Sequence, residues 1–145
     1  MNFDFLKDLI NLAAPIKTCF VIKHLKYNVS FIVQDHDETG DTTLVDKLEI
    51  LLHRFLEDEL NEDALYDLLS YKLQLDRHQF HYLYNKLKQD VSIKSIVKKI
   101  LFVLKDKNNL KSRMDTLVTE DDYIYTAEFL IRECNNAVKY TTNLH

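Results

Sequence analysis

Apolar residues recur along most of this chain at helical spacing. Between Thr43 and Glu57, Leu44, Val45, Leu48, Leu51, Leu52, Phe55 and Leu56 form one stripe of an amphipathic helix. Ile93, Ile96, Val97, Ile100, Leu101, Val103 and Leu104 do the same from Ser92 to about Lys107. Tyr123, Ala127, Leu130, Ile131, Cys134, Ala137 and Val138 mark a long helix over 119–140, whose other side carries Tyr125, Phe129 and Tyr140. Two apolar sides on one helix suit either a central place in a bundle or a partner on the second side.

Start signals sharpen these elements. Leu75-Asp76-Arg77-His78-Gln79-Phe80 places an Asp N-cap three residues before Gln, with Leu75 and Phe80 spaced as a hydrophobic staple. Thr119 is the corresponding cap before Glu120-Asp121-Asp122, with Val118 opposite Tyr123, and Asn61 caps a helix beginning at Glu62. First-turn acids after Asn61 and Thr119 complement the positive ends of those helices. The predicted helices are 61–74, 76–89 and 119–140, with others from Thr43 and from Ser92 as caps, and a short one over 110–117. A first helix from Asn2 to Ala14 ends at Pro15, which lacks an N–H and clashes with the preceding turn.

Residues 18–34 read two ways. Val29, Phe31 and Val33 alternate with polar residues in a segment rich in β-branched and aromatic side chains. That favours a hairpin of 18–25 and 29–34 turning at Lys26-Tyr27-Asn28, while Ile16, Cys19 and Phe20 keep helical spacing. Asp35 to Thr42, polar and holding Gly40, reads as the clearest loop. The expected fold is therefore mainly α: a compact bundle of about five to seven helices in a single domain over 1–145. An N-terminal helix plus hairpin or second helix occupies 1–34, and the helical body 43–140.

Composition narrows the chemistry. The chain has 145 residues, with one Gly and one Pro. Dinucleotide-binding and Walker loops require several glycines for close backbone approach to phosphate, so they are excluded, as is a GxSxG nucleophile elbow. Abundant Lys, Ile, Asn and Tyr match an AT-rich coding genome, viral or low-GC bacterial. Cys19 and Cys134 belong to no CxxC pair and suit a reducing, cytoplasmic setting. Lys7-Asp8 interrupts the first apolar stretch, so no signal peptide is read, and no apolar run reaches membrane-spanning length. His78 and His81 share a helix at metal-ligand spacing without further ligands, and Asp35-His36-Asp37-Glu38 lacks the EF-hand order. The adjacent carboxylates Glu57-Asp58-Glu59 and Glu62-Asp63 have no nearby donors for a substrate. No catalytic residue, metal or cofactor is expected.

Charge is strongly segregated. From Asp35 to Asp63 eleven acids face two cations, and from Lys86 to Arg113 nine cations face two acids, all hidden within a net charge of −4. Such blocks either steer a partner or neutralise one another. On the basic helix 92–107, Lys94, Lys98 and Lys105 gather beyond the apolar stripe with Phe102 among them. An aromatic among cations is a plausible contact for an acidic partner. Two binding faces are thus expected: Lys94, Lys98, Phe102 and Lys105 on one, and Tyr125, Phe129 and Tyr140 on another suited to self-association as a homodimer. The function implied is a non-enzymatic protein-interaction or regulatory module of the inhibitor, immunity or host-directed adaptor kind. Binding of nucleic acid or an anionic membrane surface through helix 92–107 is the alternative, opposed by a sequence pI of about 5.8. Size, acidity and helix number are of the general kind seen in small viral apoptosis regulators, though with no Asn-Trp-Gly-Arg-like segment and no Trp. They are equally of the kind seen in bacterial tellurite-resistance-type helical modules and toxin-immunity proteins, and no motif carries over from any of them.

Overall fold

A computed structural model describes residues 18–63, 65–67 and 75–142. Six helices occupy them: α1 (Thr18–Thr39), α2 (Thr43–Leu56), α3 (Arg77–Gln89), α4 (Val91–Lys105), α5 (Leu110–Leu117) and α6 (Glu120–Thr142). Residues 62–63 and 65–67 are helical as well. The fold is a mainly α bundle, and there is no strand among the described residues. The helix expected over 2–14 and the second half of the one expected over 61–74 lie outside them.

The favoured hairpin at 18–34 is corrected to a helix. Val21, Leu25, Val29, Ile32, Val33 and His36 are all buried, a run of three- and four-residue steps that only a helix aligns on one face. Phe31, which the alternating pattern would pair with Val29 and Val33, is instead 47% exposed. The expected loop at 35–42 also shrinks, because α1 continues to Thr39 and buries His36 in the bundle. What stops it is Gly40, whose φ of +73° closes the helix while its amide donates to the His36 carbonyl (2.9 Å).

The sequence-predicted caps of α3 and α6 are present. Asp76 accepts from the Gln79 amide (2.8 Å) while the Gln79 side chain accepts from the Asp76 amide (2.9 Å). Thr119 and Asp122 exchange the same pair of bonds at the head of α6. Two other caps differ from expectation. Asp41, not Thr43, accepts at the entry to α2, from the Thr43 amide and hydroxyl. Asp90, not Ser92, caps α4, accepting from the Ile93 amide at 2.8 Å.

Helix α6 packs on α3 and α1, α1 also meets α5 and α2, and α4 lies against α2 and α5. The main core runs through every one of these helices, from Val21 and Val33 on α1 to Ala127, Leu130 and Cys134 on α6. A second cluster joins Ile93, Val97 and Leu101 of α4 to Phe129 of α6.

Asp37 ties the end of α1 to the start of α5, accepting from the amides of Leu110 (3.1 Å) and Lys111 (3.0 Å). Burial pulls its carboxyl up, but these two bonds and neighbouring His36 outweigh it and leave the pKa below the ordinary 3.8. A carboxyl depressed by folding adds stability that is complete above its unfolded pKa and is lost as pH falls through the folded value. Asp37→Asn keeps one acceptor oxygen but loses the second and the charge, and is therefore expected to cost about 1 kcal/mol at neutral pH, the net worth of one hydrogen bond. In denaturant titrations the gap between the variant and the wild type should close below about pH 4. An unchanged gap at pH 3 would show that the carboxylate charge is not what joins the two helices.

The two cysteines differ in environment. Cys19 is exposed, whereas burial pushes the Cys134 thiol up to about 12, with Glu133 beside it adding to the shift. Only a thiolate reacts with a disulfide reagent. At pH 8 a chromogenic disulfide should label one of the two thiols quickly and the other only after guanidinium unfolding; two fast thiols in the native protein would contradict the burial of α6.

Candidate functional site

The two charge blocks meet at two ion pairs. Lys107 pairs with Glu49, and Lys88 with Asp58 at 2.6 Å, each joining the basic block to the acidic one. The acids that follow α2 also engage α3: Asp63 holds Arg77 at 2.9 Å, and Glu62 accepts from His81 Nδ1 at 2.8 Å. Asn85 donates to the other ring nitrogen of His81 (2.9 Å), so both nitrogens are occupied and His81 does not act with exposed His78. Among the described residues, no three His, Cys, Asp or Glu side chains converge as metal ligands. The acidic run at 57–63 thus has structural partners, and exposed ion pairs of this kind contribute little stability each.

Lys86 of α3 lies over the Tyr82 ring at 5.4 Å, and the other cations that ion pairs leave over lie on one face of α4. Lys94, Lys98 and Lys105 have no ion pair among the described residues, while Lys99, on the other side, is held by Asp122 at 2.8 Å. Phe102 is 63% exposed between them, four residues after Lys98 and three before Lys105. Such spacing makes them neighbours on the helix surface. Lys94 is half-buried, and Ser95, Lys98 and Lys105 are exposed. At the head of the same face stands Val91, 79% exposed. At about 100° per residue, Val91, Ser95, Lys98, Phe102 and Lys105 fall within one arc opposite Ile93 and Ile100, a stripe roughly 20 Å long. Sequence reasoning missed Val91 because it started the helix at Ser92. The signal was Asp90, an equally good cap, which brings Val91 into the first turn.

The structure separates the second expected group. Phe129 is 3% exposed and packs on Ile93, Val97 and Leu101, so it is core and not part of a surface. Tyr125 stacks on it at 6.3 Å and donates its hydroxyl to both carboxylate oxygens of Asp90 (2.9 and 2.8 Å), the same carboxylate that caps α4. Burial first, and then Asp90, raise the Tyr125 pKa. These two aromatics fasten α6 to the head of α4. Tyr140 alone is exposed (49%), stacked on Tyr82 with ring centres 5.4 Å apart. The physical reason is packing on both sides of α6: α4 takes the side with Phe129, and α1 and α3 take the rest.

No helix of the described residues is long and apolar enough to cross a membrane. Fold and surface together define a helical bundle whose basic helix exposes an unneutralised stripe of lysines and apolar residues. The chain belongs to the family described as Autographa californica nuclear polyhedrosis virus (AcMNPV), Ac75, whose model matches residues 5–141. No curated protein and no solved structure matches it.

Proposed function

We propose that this protein is a non-enzymatic interaction module that docks a protein partner on the exposed stripe of α4. The observation that carries this reading is the exposure of Phe102 between Lys98 and Lys105, in a basic block where Lys88, Lys99, Lys107, Lys111 and Arg113 are all held in ion pairs. An exposed aromatic gains free energy when a partner covers it, and the unpaired ammonium groups favour an acidic rim around the pocket that receives it. The partner is therefore a protein with an apolar pocket edged by Asp and Glu. Membership of a viral family suits a regulatory or host-directed adaptor role, and two free thiols suit a reducing compartment. Tyr140 stays as a contact for a second copy, without Phe129 and Tyr125.

Tagged wild type and a Lys98→Glu/Phe102→Ala variant, expressed in cells that naturally make the protein, test the reading. A partner recovered with the wild type and lost with the variant supports it; equal recovery of every partner refutes it. Binding of nucleic acid or anionic membrane is favoured by the same lysines and opposed by the net charge of −4. Salt-dependent retention on heparin, or flotation with phosphatidylserine vesicles, abolished by the same variant would favour that second reading.

A further inference from the structure

Most apolar side chains of α2 beyond Val45 and Leu48 are only half-buried, with Leu52, Phe55 and Leu56 packed against the core clusters. Among the described residues a cavity of about 180 Å³ lies beside them, walled by Leu48, Leu52 and Phe55 of α2, Leu83 of α3, and Ile96 and Ile100 of α4. The polar side chains at its edge are turned to other work. Tyr84 donates to the Leu60 carbonyl (2.5 Å), Thr126 to the Asp122 carbonyl (2.9 Å), and Asp122 holds Lys99. A water molecule needs two to four polar partners to settle in a cavity, and these walls supply almost none. Apolar cavities of about 150 Å³ lined by Leu, Ile and Phe stay dry and take up molecules such as benzene.

We propose that this cavity is a binding site for the hydrocarbon chain of a small amphiphile, the wall chemistry selecting against any polar guest. The site lies on the inward face of α4 and is independent of the outward stripe of Phe102 and its lysines. Volume sets the extent of the guest: a ring or a short run of methylenes fits inside, and the head group stays outside. A free fatty acid and the acyl chain of a phospholipid share this chemistry.

The test is a methyl-resolved carbon–proton NMR titration of the full chain, with thermal melting alongside. The probes are decanoate and, separately, monomeric dioctanoyl-phosphatidylcholine. Saturable shifts of the Leu52, Leu83 and Ile100 methyls, with a rise in Tm of several degrees at ligand excess, are expected. Response to decanoate alone identifies a free fatty acid, and response to both identifies an acyl chain whatever its head group. Ile96→Trp and Leu52→Phe, two independent ways of filling the space from half-buried positions, should each keep a cooperative melt and lose the response. The proposal is overturned if neither probe moves these methyls. It is equally overturned if a folded, filled variant responds as the wild type does.

Discussion

Phe129→Asp should abolish cooperative folding. The ring is buried between α6 and α4, against Ile93, Val97 and Leu101, with Tyr125 stacked beside it. Removing a buried Phe side chain alone costs about 3–5 kcal/mol. A carboxylate in its place adds the penalty of an unpaired buried charge. Against a typical total of about 5–15 kcal/mol, that sum consumes most or all of the stability. Circular dichroism should then show no sharp thermal transition. Phe102→Asp, on the same pair of helices and of the same chemistry, should leave stability within about 0.5 kcal/mol, because its ring is exposed. If instead Phe129→Asp melts like the wild type and Phe102→Asp does not, the rotation of α4 described above is wrong.

The second large effect concerns binding. Lys98→Glu/Phe102→Ala should weaken the partner at least about 30-fold, corresponding to roughly 2 kcal/mol. Two contributions add in the same direction. Loss of the ring leaves the partner's pocket uncovered, and the reversed charge places an acid against an acidic rim. Lys105→Ala alone should act mainly on the association rate and on its salt dependence, as peripheral charges do. Titration calorimetry at two salt concentrations separates these effects. An affinity unchanged by the double substitution would remove α4 from the interface.

Local chemistry explains why some elements were legible in the sequence. The caps of α3 and α6 rest on side chains three residues apart, so Asp76 with Gln79 and Thr119 with Asp122 announce themselves without knowledge of the fold. Residues 18–34 were not legible in this way. Val29, Phe31 and Val33 satisfy an alternating pattern and a helical one in part, and β-branched residues tilt propensity toward strand. Packing decides between them: α6, α5 and α2 all lie against α1, whose Val29, Ile32, Val33 and His36 are buried on one helical face. The start of α4 was ambiguous for a smaller reason, since Asp90 and Ser92 are both good caps two residues apart.

The candidate site divides along the same line. A helical wheel placed Phe102 beside Lys98 and Lys105 because that relation is local to one helix. It could not decide which apolar side of α6 faces solvent, because that depends on where α4 docks. Nor could it foresee that Lys88 and Lys107 are taken up by Asp58 and Glu49, 30 and 58 positions away in sequence. These long-range pairs, with Lys99 held by Asp122, leave Lys94, Lys98 and Lys105 as the cations of α4 with no ion pair among the described residues.

Site-specific photocrosslinking tests the central claim most directly. A benzophenone amino acid replaces Phe102 in one preparation and Ile50, an exposed residue of α2, in another. On irradiation in cells that make the protein, position 102 should give one discrete protein adduct that position 50 does not. Adducts of equal yield at both positions, or adducts at 102 with nucleic acid or lipid alone, would contradict a protein-docking role for α4.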